Sequence, residues 1–168
     1  MAKKRLTKRE EDEKFDKLKS AQHEAGHLTV SHATGEATFA AWIQKTDTVD
    51  RRKELTWGGS SGGYFVKMSP LIAVAGITAE MVAFKLKVAP DAAMIEDLII
   101  TRALVPSDSD LKHFPPADQL QATIGEALAL LKKHKAFFDW AVSMLVEGEI
   151  ITDGMARDTF EKLNSQGT

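Results

Sequence analysis

Two histidines four residues apart, His23 and His27, with Glu24 directly after the first, form an HExxH pattern. On a helix both imidazoles project from one face and can grip one metal ion. Glu24 then sits about 100° around the helix from His23, close enough to the open side of the metal to take a proton from a bound water. Zinc lowers the pKa of such a water towards roughly 7, so that it attacks an otherwise resistant amide. The three residues therefore predict a metallopeptidase-type site, with His23 and His27 as zinc ligands and Glu24 as general base. The pattern supplies only two protein ligands where a catalytic zinc usually takes three, so a carboxylate from elsewhere in the chain is required.

The helix that must carry this pattern is expected over Asp16–His32. Phe15, Leu18, Ala21, Leu28 and Val30 follow a helical period, and Gly35 provides a stop. Gly26 lies in its interior, where glycine costs about 1 kcal/mol relative to alanine, and so predicts close backbone packing. Before it, residues 1–14 mix charges of both signs and are expected to form a mobile, solvated tail, with helix beginning near Phe15. After it, Thr38–Gln44 is β-prone and reads as a strand, and Lys45–Lys53 as a polar loop. Trp57–Gly63 is rich in glycine but lacks the Gly-Lys-Ser/Thr ending of a phosphate loop, so it is read as a flexible loop beside the cleft. Tyr64–Val66 reads as a second short strand, and a strand edge near zinc suits substrate binding by β-addition.

Ser69 and Pro70 signal a helix start, and Leu71–Leu86 is apolar on nearly all sides, hence buried. Glu80 within it is open to three readings: an outward-facing side chain, a partner of the histidines behind the metal, or a direct ligand. A further helix is expected over Asp91–Val105, stopped by Pro106. Ser107–His113 carries ordinary helix-capping residues. Ala122–Lys133, Ala136–Val146 and a last helix through Met155, Phe160 and Leu163, capped by Thr152 or Asp153, are expected to form a helical bundle against the site.

The 168 residues fit a single domain with one well-buried core. A formal net charge of −2 gives no reason to expect nucleic acid or acidic lipid as partner. The chain has no cysteine, which excludes disulfides, thiolate zinc ligands and a cysteine nucleophile and suits the cytoplasm. The N-terminal residues contain no apolar run of the secretory kind, and the longest apolar stretch, Leu71–Phe84, is too short to span a bilayer.

Several segments together resemble the peptidase domain of the FtsH-type ATP-dependent zinc metalloproteases. Gln22–His27 is similar to that family's His-Glu-Ala-Gly-His helix, and Ala75–Glu80 resembles its Gly-Gly-x-x-Ala-Glu segment. Leu130–His134 and Leu145–Glu149 resemble elements of its closing helices, so the likeness runs in order over most of residues 15–165. It implies a mainly α (α+β) fold: a helical zincin-like peptidase domain with a small β-sheet at the cleft and a C-terminal bundle. It also implies a third zinc ligand from an aspartate that follows the Ala-Glu segment and precedes an aliphatic residue. Asp97 and Asp110 both fit, and Asp110, with its small polar lead-in, is favoured over Asp97, with Glu80 as a remaining alternative. The family's ATPase half is not found in these residues, which points to flexible protein or peptide substrates, to a separate ATPase as partner, or to a homo-oligomer.

Other HExxH families fit less well. The metzincins require a third histidine six residues after the second, whereas His32 follows by five and points about 140° away from His27 on a helix. His32 is therefore read as packing, and His113 and His134 as solvated. The competing functional reading is a binding or regulatory protein that keeps the peptidase scaffold without useful turnover.

Overall fold

A computed structural model describes residues 7–36, 40–45, 57–62, 68–83, 89–101 and 103–165. The protein is mainly helical. Its centre is α1, Lys8–Thr34, which begins well before the expected Asp16. The cause is local: Thr7 and Glu10 form a reciprocal capping box, Glu10 N–H donating to Thr7 Oγ1 at 3.3 Å and Thr7 N–H to Glu10 Oε2 at 2.7 Å. Gly35, in the left-handed region at φ 65°, ends the helix as expected. The charged first half of α1 is largely exposed; from Ala21, and then His23 through Ser31, it is buried.

The element packed most extensively against α1 is α2, Pro70–Ala83. Ser69 Oγ accepts the Ile72 N–H at 3.3 Å, the start expected from the Ser-Pro pair. Residues 72–81 are all buried. The two helices approach closely at Gly26, where an added Cβ would lie 2.5 Å from the Ala75 carbonyl oxygen and 2.6 Å from the Ala79 Cβ. A glycine facing two alanines thus sets the depth at which α2 meets the histidine-bearing turn.

β1, Ala40–Lys45, pairs antiparallel with β2, Trp57–Gly62, in a register running from Ala40 opposite Gly62 to Lys45 opposite Trp57. The glycine-rich stretch expected as a loop is therefore a strand. Ladder hydrogen bonds come from the backbone, and low β-propensity reports chiefly on missing side-chain packing, which tertiary pairing overrides. The strand expected at Tyr64–Val66 lies outside the described residues. On its other side β1 bonds Ile151: Ala41 and Ile151 exchange N–H···O bonds of 2.9 Å in both directions.

α3, Ala92–Ile100, starts at the Asp91 cap and ends five residues before the expected Val105. Thr101 Oγ1 bonds back to the Asp97 carbonyl at 2.8 Å, and buried Leu104 returns its N–H to the Leu98 carbonyl at 3.0 Å, drawing the chain off the helix axis. α4, Asp108–His113, α5, Ala117–Lys133, α6, Lys135–Val146, and α7, Asp153–Ser165, follow. α5 packs on α2 and α6 on α1. After α6, Gly148 at φ 88° closes a Schellman turn, with Gly148 N–H on the Leu145 carbonyl and Glu149 N–H on the Met144 carbonyl, which directs Ile151 onto β1. No helix among the described residues is long and apolar enough to cross a membrane.

His32 packs between helices, its ring 5.8 Å from Phe137 and 5.9 Å from Phe160, with Nε2 4.0 Å from Asp153 Oδ1. His113 and His134, expected as solvated, are half-buried: His113 Nδ1 lies 2.8 Å from the Ser109 carbonyl, and His134 Nδ1 3.0 Å from Asn164 Oδ1. Burial holds the His32 imidazole below its ordinary range; Asp153 opposes this and Arg157 adds to it. The unfolded chain thus binds the His32 proton more readily than the folded one, so this residue's contribution is present above about pH 6.5 and is lost as pH falls through the folded pKa. Wild type is expected to lose more thermal stability than His32→Phe between pH 7.5 and 5.5, measured by melting curves; equal losses would refute it.

Candidate metal centre

The α1 turn carrying His23 and His27 brings their Nε2 atoms to 3.1 Å of each other. Asp110, from α4, completes the group: its Oδ2 is 3.3 Å from His23 Nε2 and its Oδ1 3.4 Å from His27 Nε2. The three residues are 8%, 3% and 3% exposed, respectively, so the group is almost wholly removed from solvent. Taken as one donor atom from each residue, the three lie within 4.8 Å of one another, a spacing that a single ion can bridge. Among the described residues, His23, His27 and Asp110 are the group of three metal-ligand side chains that could hold an ion.

Hydrogen bonding fixes what these atoms present to one another. His27 Nδ1 lies 2.8 Å from the Ile72 carbonyl, which can only accept, so this nitrogen carries a proton. His23 Nδ1 likewise faces Glu80 Oε1 at 2.6 Å. In the neutral imidazoles both Nε2 lone pairs then point at each other and at a carboxylate. Such an arrangement is repulsive unless a cation or a proton occupies the centre. Although burial alone would depress it, the His23 imidazole is raised to about 10 by hydrogen bonds to Asp110 and Glu80 and by the charge of Glu24. Asp110 is held well below the usual carboxylate range: burial would raise it, but the bonds from His23 and His27 prevail. A proton on His23 and a metal ion would compete for one lone pair, so that uptake of a cation here would release a proton.

Space and charge agree with a cation. An added Cβ at Gly76 on α2 would lie 2.4 Å from His23 Nε2 and 2.7 Å from His27 Nε2, so the bare glycine leaves the concave floor on which these nitrogens converge. Of the buried carboxyl groups of Glu24, Glu80 and Asp110, that of Glu80 stands 3.3 Å from the Lys19 ammonium. This concentration of buried carboxyl groups suits a cation. Glu24 is 5% exposed, and its Oε2 has no hydrogen-bond partner among the described residues. A buried, unpaired carboxyl oxygen is costly to keep and suits a group that handles a proton.

Asp110 is positioned by its own sequence. Ser107 caps α4, accepting the Asp110 N–H on Oγ at 3.0 Å, while the Ser107 N–H donates to Asp110 Oδ2 at 2.8 Å. The oxygen that closes this capping box is the one 3.3 Å from His23 Nε2, so the cap and the contact with the histidine are one arrangement. Asp97 is exposed on α3 and stands apart from the group. Glu80 points inward, bonded to His23, and is not among the three converging donors. Lys19 and Gly76 were not singled out by sequence reasoning. The one available signal for Lys19 is its place four residues before His23, on the same helix face. No family model, curated protein or solved structure matches the chain.

Proposed function

We propose that this protein is a zinc-dependent metalloendopeptidase, with His23, His27 and Asp110 as metal ligands, Glu80 orienting His23, and Glu24 as general base. The observation that carries the reading is the convergence of two lone-pair nitrogens and a carboxylate within 4.8 Å of one another beside a buried, unpaired glutamate oxygen. Zinc there supplies Lewis acidity towards water and towards a substrate carbonyl. Glu24 takes the proton that water loses as its oxygen bonds the carbonyl carbon, then delivers that proton to the amine nitrogen as the C–N bond breaks. Glu80 holds the His23 ring through Nδ1, the Ile72 carbonyl holds the His27 ring, and both keep Nε2 free to ligate.

The resemblance of Gln22–His27 and Ala75–Glu80 to the FtsH-type peptidase domain supports the same reading, and with it a zincin-like fold closed by α5–α7. β1 is bonded to β2 on one side and to Ile151 at Ala41 on the other. An extended polypeptide would add to the outer edge of β2, as strand-binding proteases hold substrate.

The test is stripped protein titrated with zinc. One equivalent is expected to bind, to raise the melting temperature, and to confer cleavage of unfolded casein that a chelator abolishes. Zinc held without cleavage would indicate a binding protein on this scaffold; absence of zinc uptake would overturn the metal site itself.

A further inference from the structure

We propose that Lys19 is a positioning residue that locks the chain segment delivering Asp110 onto the element holding His23. The inference rests on the metal-site reading above. Lys19 lies one helical turn before His23, and its side chain is 14% exposed. Its ammonium donates to the Ala103 carbonyl at 2.7 Å and stands 3.3 Å from Glu80 Oε2. The same Glu80 oxygen accepts the Val105 N–H at 3.4 Å, and the other carboxyl oxygen holds His23 Nδ1. Val105 is two residues before Ser107, whose hydroxyl and N–H fix the Asp110 carboxylate.

Lys19 therefore closes a ring of contacts. One path runs from Lys19 through Glu80 to His23, the first donor; the other runs through Ala103 and Val105 to Ser107 and Asp110, the third. Residues 103–107, which lead into α4, form neither helix nor strand. Buried Leu104 anchors it by packing, but packing alone does not set the register of a polar arm to a fraction of an ångström. The ammonium does so through a direct bond, and it also offsets the negative charge that Glu80 brings into a buried site already containing Asp110 and Glu24. Loss of Lys19 would leave Glu80 and the Ala103 carbonyl short of a donor and free Asp110 to drift from the histidines.

Lys19→Met removes the ammonium while keeping the apolar stem, Lys19→Arg retains charge and donors, and Lys14→Met, on the exposed part of the same helix, is the control. Lys19→Met is expected to bind zinc about 10- to 100-fold more weakly, to alter the absorption spectrum of the cobalt-loaded protein, and to accelerate amide exchange over residues 104–111 in the metal-free protein. Lys19→Arg is expected to recover a large part of each, and Lys14→Met to match wild type. Should Lys19→Met not fold, Lys19→Gln replaces it with the same expectations. Wild-type zinc affinity, cobalt spectrum and exchange in the folded Lys19 variant would overturn the proposal. If wild type itself takes up neither zinc nor cobalt, the metal reading has failed; the exchange comparison then decides the clamp alone, accelerated exchange supporting it and unchanged exchange refuting it.

Discussion

Glu24→Gln is expected to retain zinc within a few-fold of wild-type affinity and to cleave unfolded casein about 10²–10⁴-fold more slowly. Glutamine has the shape of glutamate, but its amide cannot take a proton from water at neutral pH. Glu24 Oε2 has no hydrogen-bond partner among the described residues, so the substitution breaks no bond to that oxygen. Glu24 is also absent from the group of converging donors, and its influence on His23 is through charge. In the metal-free protein the charge of Glu24 supports the protonated His23 imidazole, so the melting temperature of Glu24→Gln should be unchanged or slightly lower. Cleavage rates, bound zinc and melting curves measured on one preparation separate loss of the base from loss of the fold. Equal rates for the two proteins would remove Glu24 from the chemistry and leave a zinc-binding scaffold as the better account.

The difference between what could and could not be read from residues alone follows sequence separation. His23, Glu24 and His27 fall within one helical turn, so helix geometry alone brings them together. Asp110 is 87 residues from His23, and neither spacing nor periodicity reports a contact made between α1 and α4. Resemblance points to Asp110 or Asp97 and leaves Glu80 as a remaining alternative. The distinction lies in the Ser107 cap, which looks the same in sequence whether or not the capping carboxylate also meets a histidine. Glu80 was conspicuous as a charge in an apolar helix, but its partners come from α1 and from the irregular segment after α3.

The helix boundaries show the same rule from the other side. Thr7 and Glu10 carry a capping box legible in four residues, yet the charge density around them suggested a solvated tail, and α1 begins there nonetheless. α3 stops short of Pro106 because Leu104 finds a buried position off the helix axis, a tertiary event without a local signature. β2 is the clearest case of long-range pairing overriding composition, since its glycines and serines have little strand propensity until β1 supplies the ladder.

Gly76→Ala is expected to weaken zinc binding by at least about 100-fold, beyond the loss typical of a residue that merely supports a ligand. The added methyl would stand 2.4 Å from His23 Nε2, 2.5 Å from its Cε1 and 2.7 Å from His27 Nε2, closer than any non-bonded contact permits. Neither side can readily give way. α2 cannot retreat without opening the close packing of Ala75 and Ala79 on Gly26, and it meets α1 more extensively than any other element. The rings cannot swing without breaking their Nδ1 bonds to Glu80 and to the Ile72 carbonyl, both of which belong to α2 itself. The methyl and an ion would therefore contend for one space. Overpacking of this kind typically destabilises by about 1–3 kcal/mol, against which alanine's better helix propensity returns about 1 kcal/mol. Gly125→Ala, in α5 with open space around the added methyl, isolates that propensity term and is expected to raise stability without touching zinc affinity. A Gly76→Ala protein that binds zinc like wild type would place the ion away from the two Nε2 atoms, because no cation held between them could share its site with that methyl.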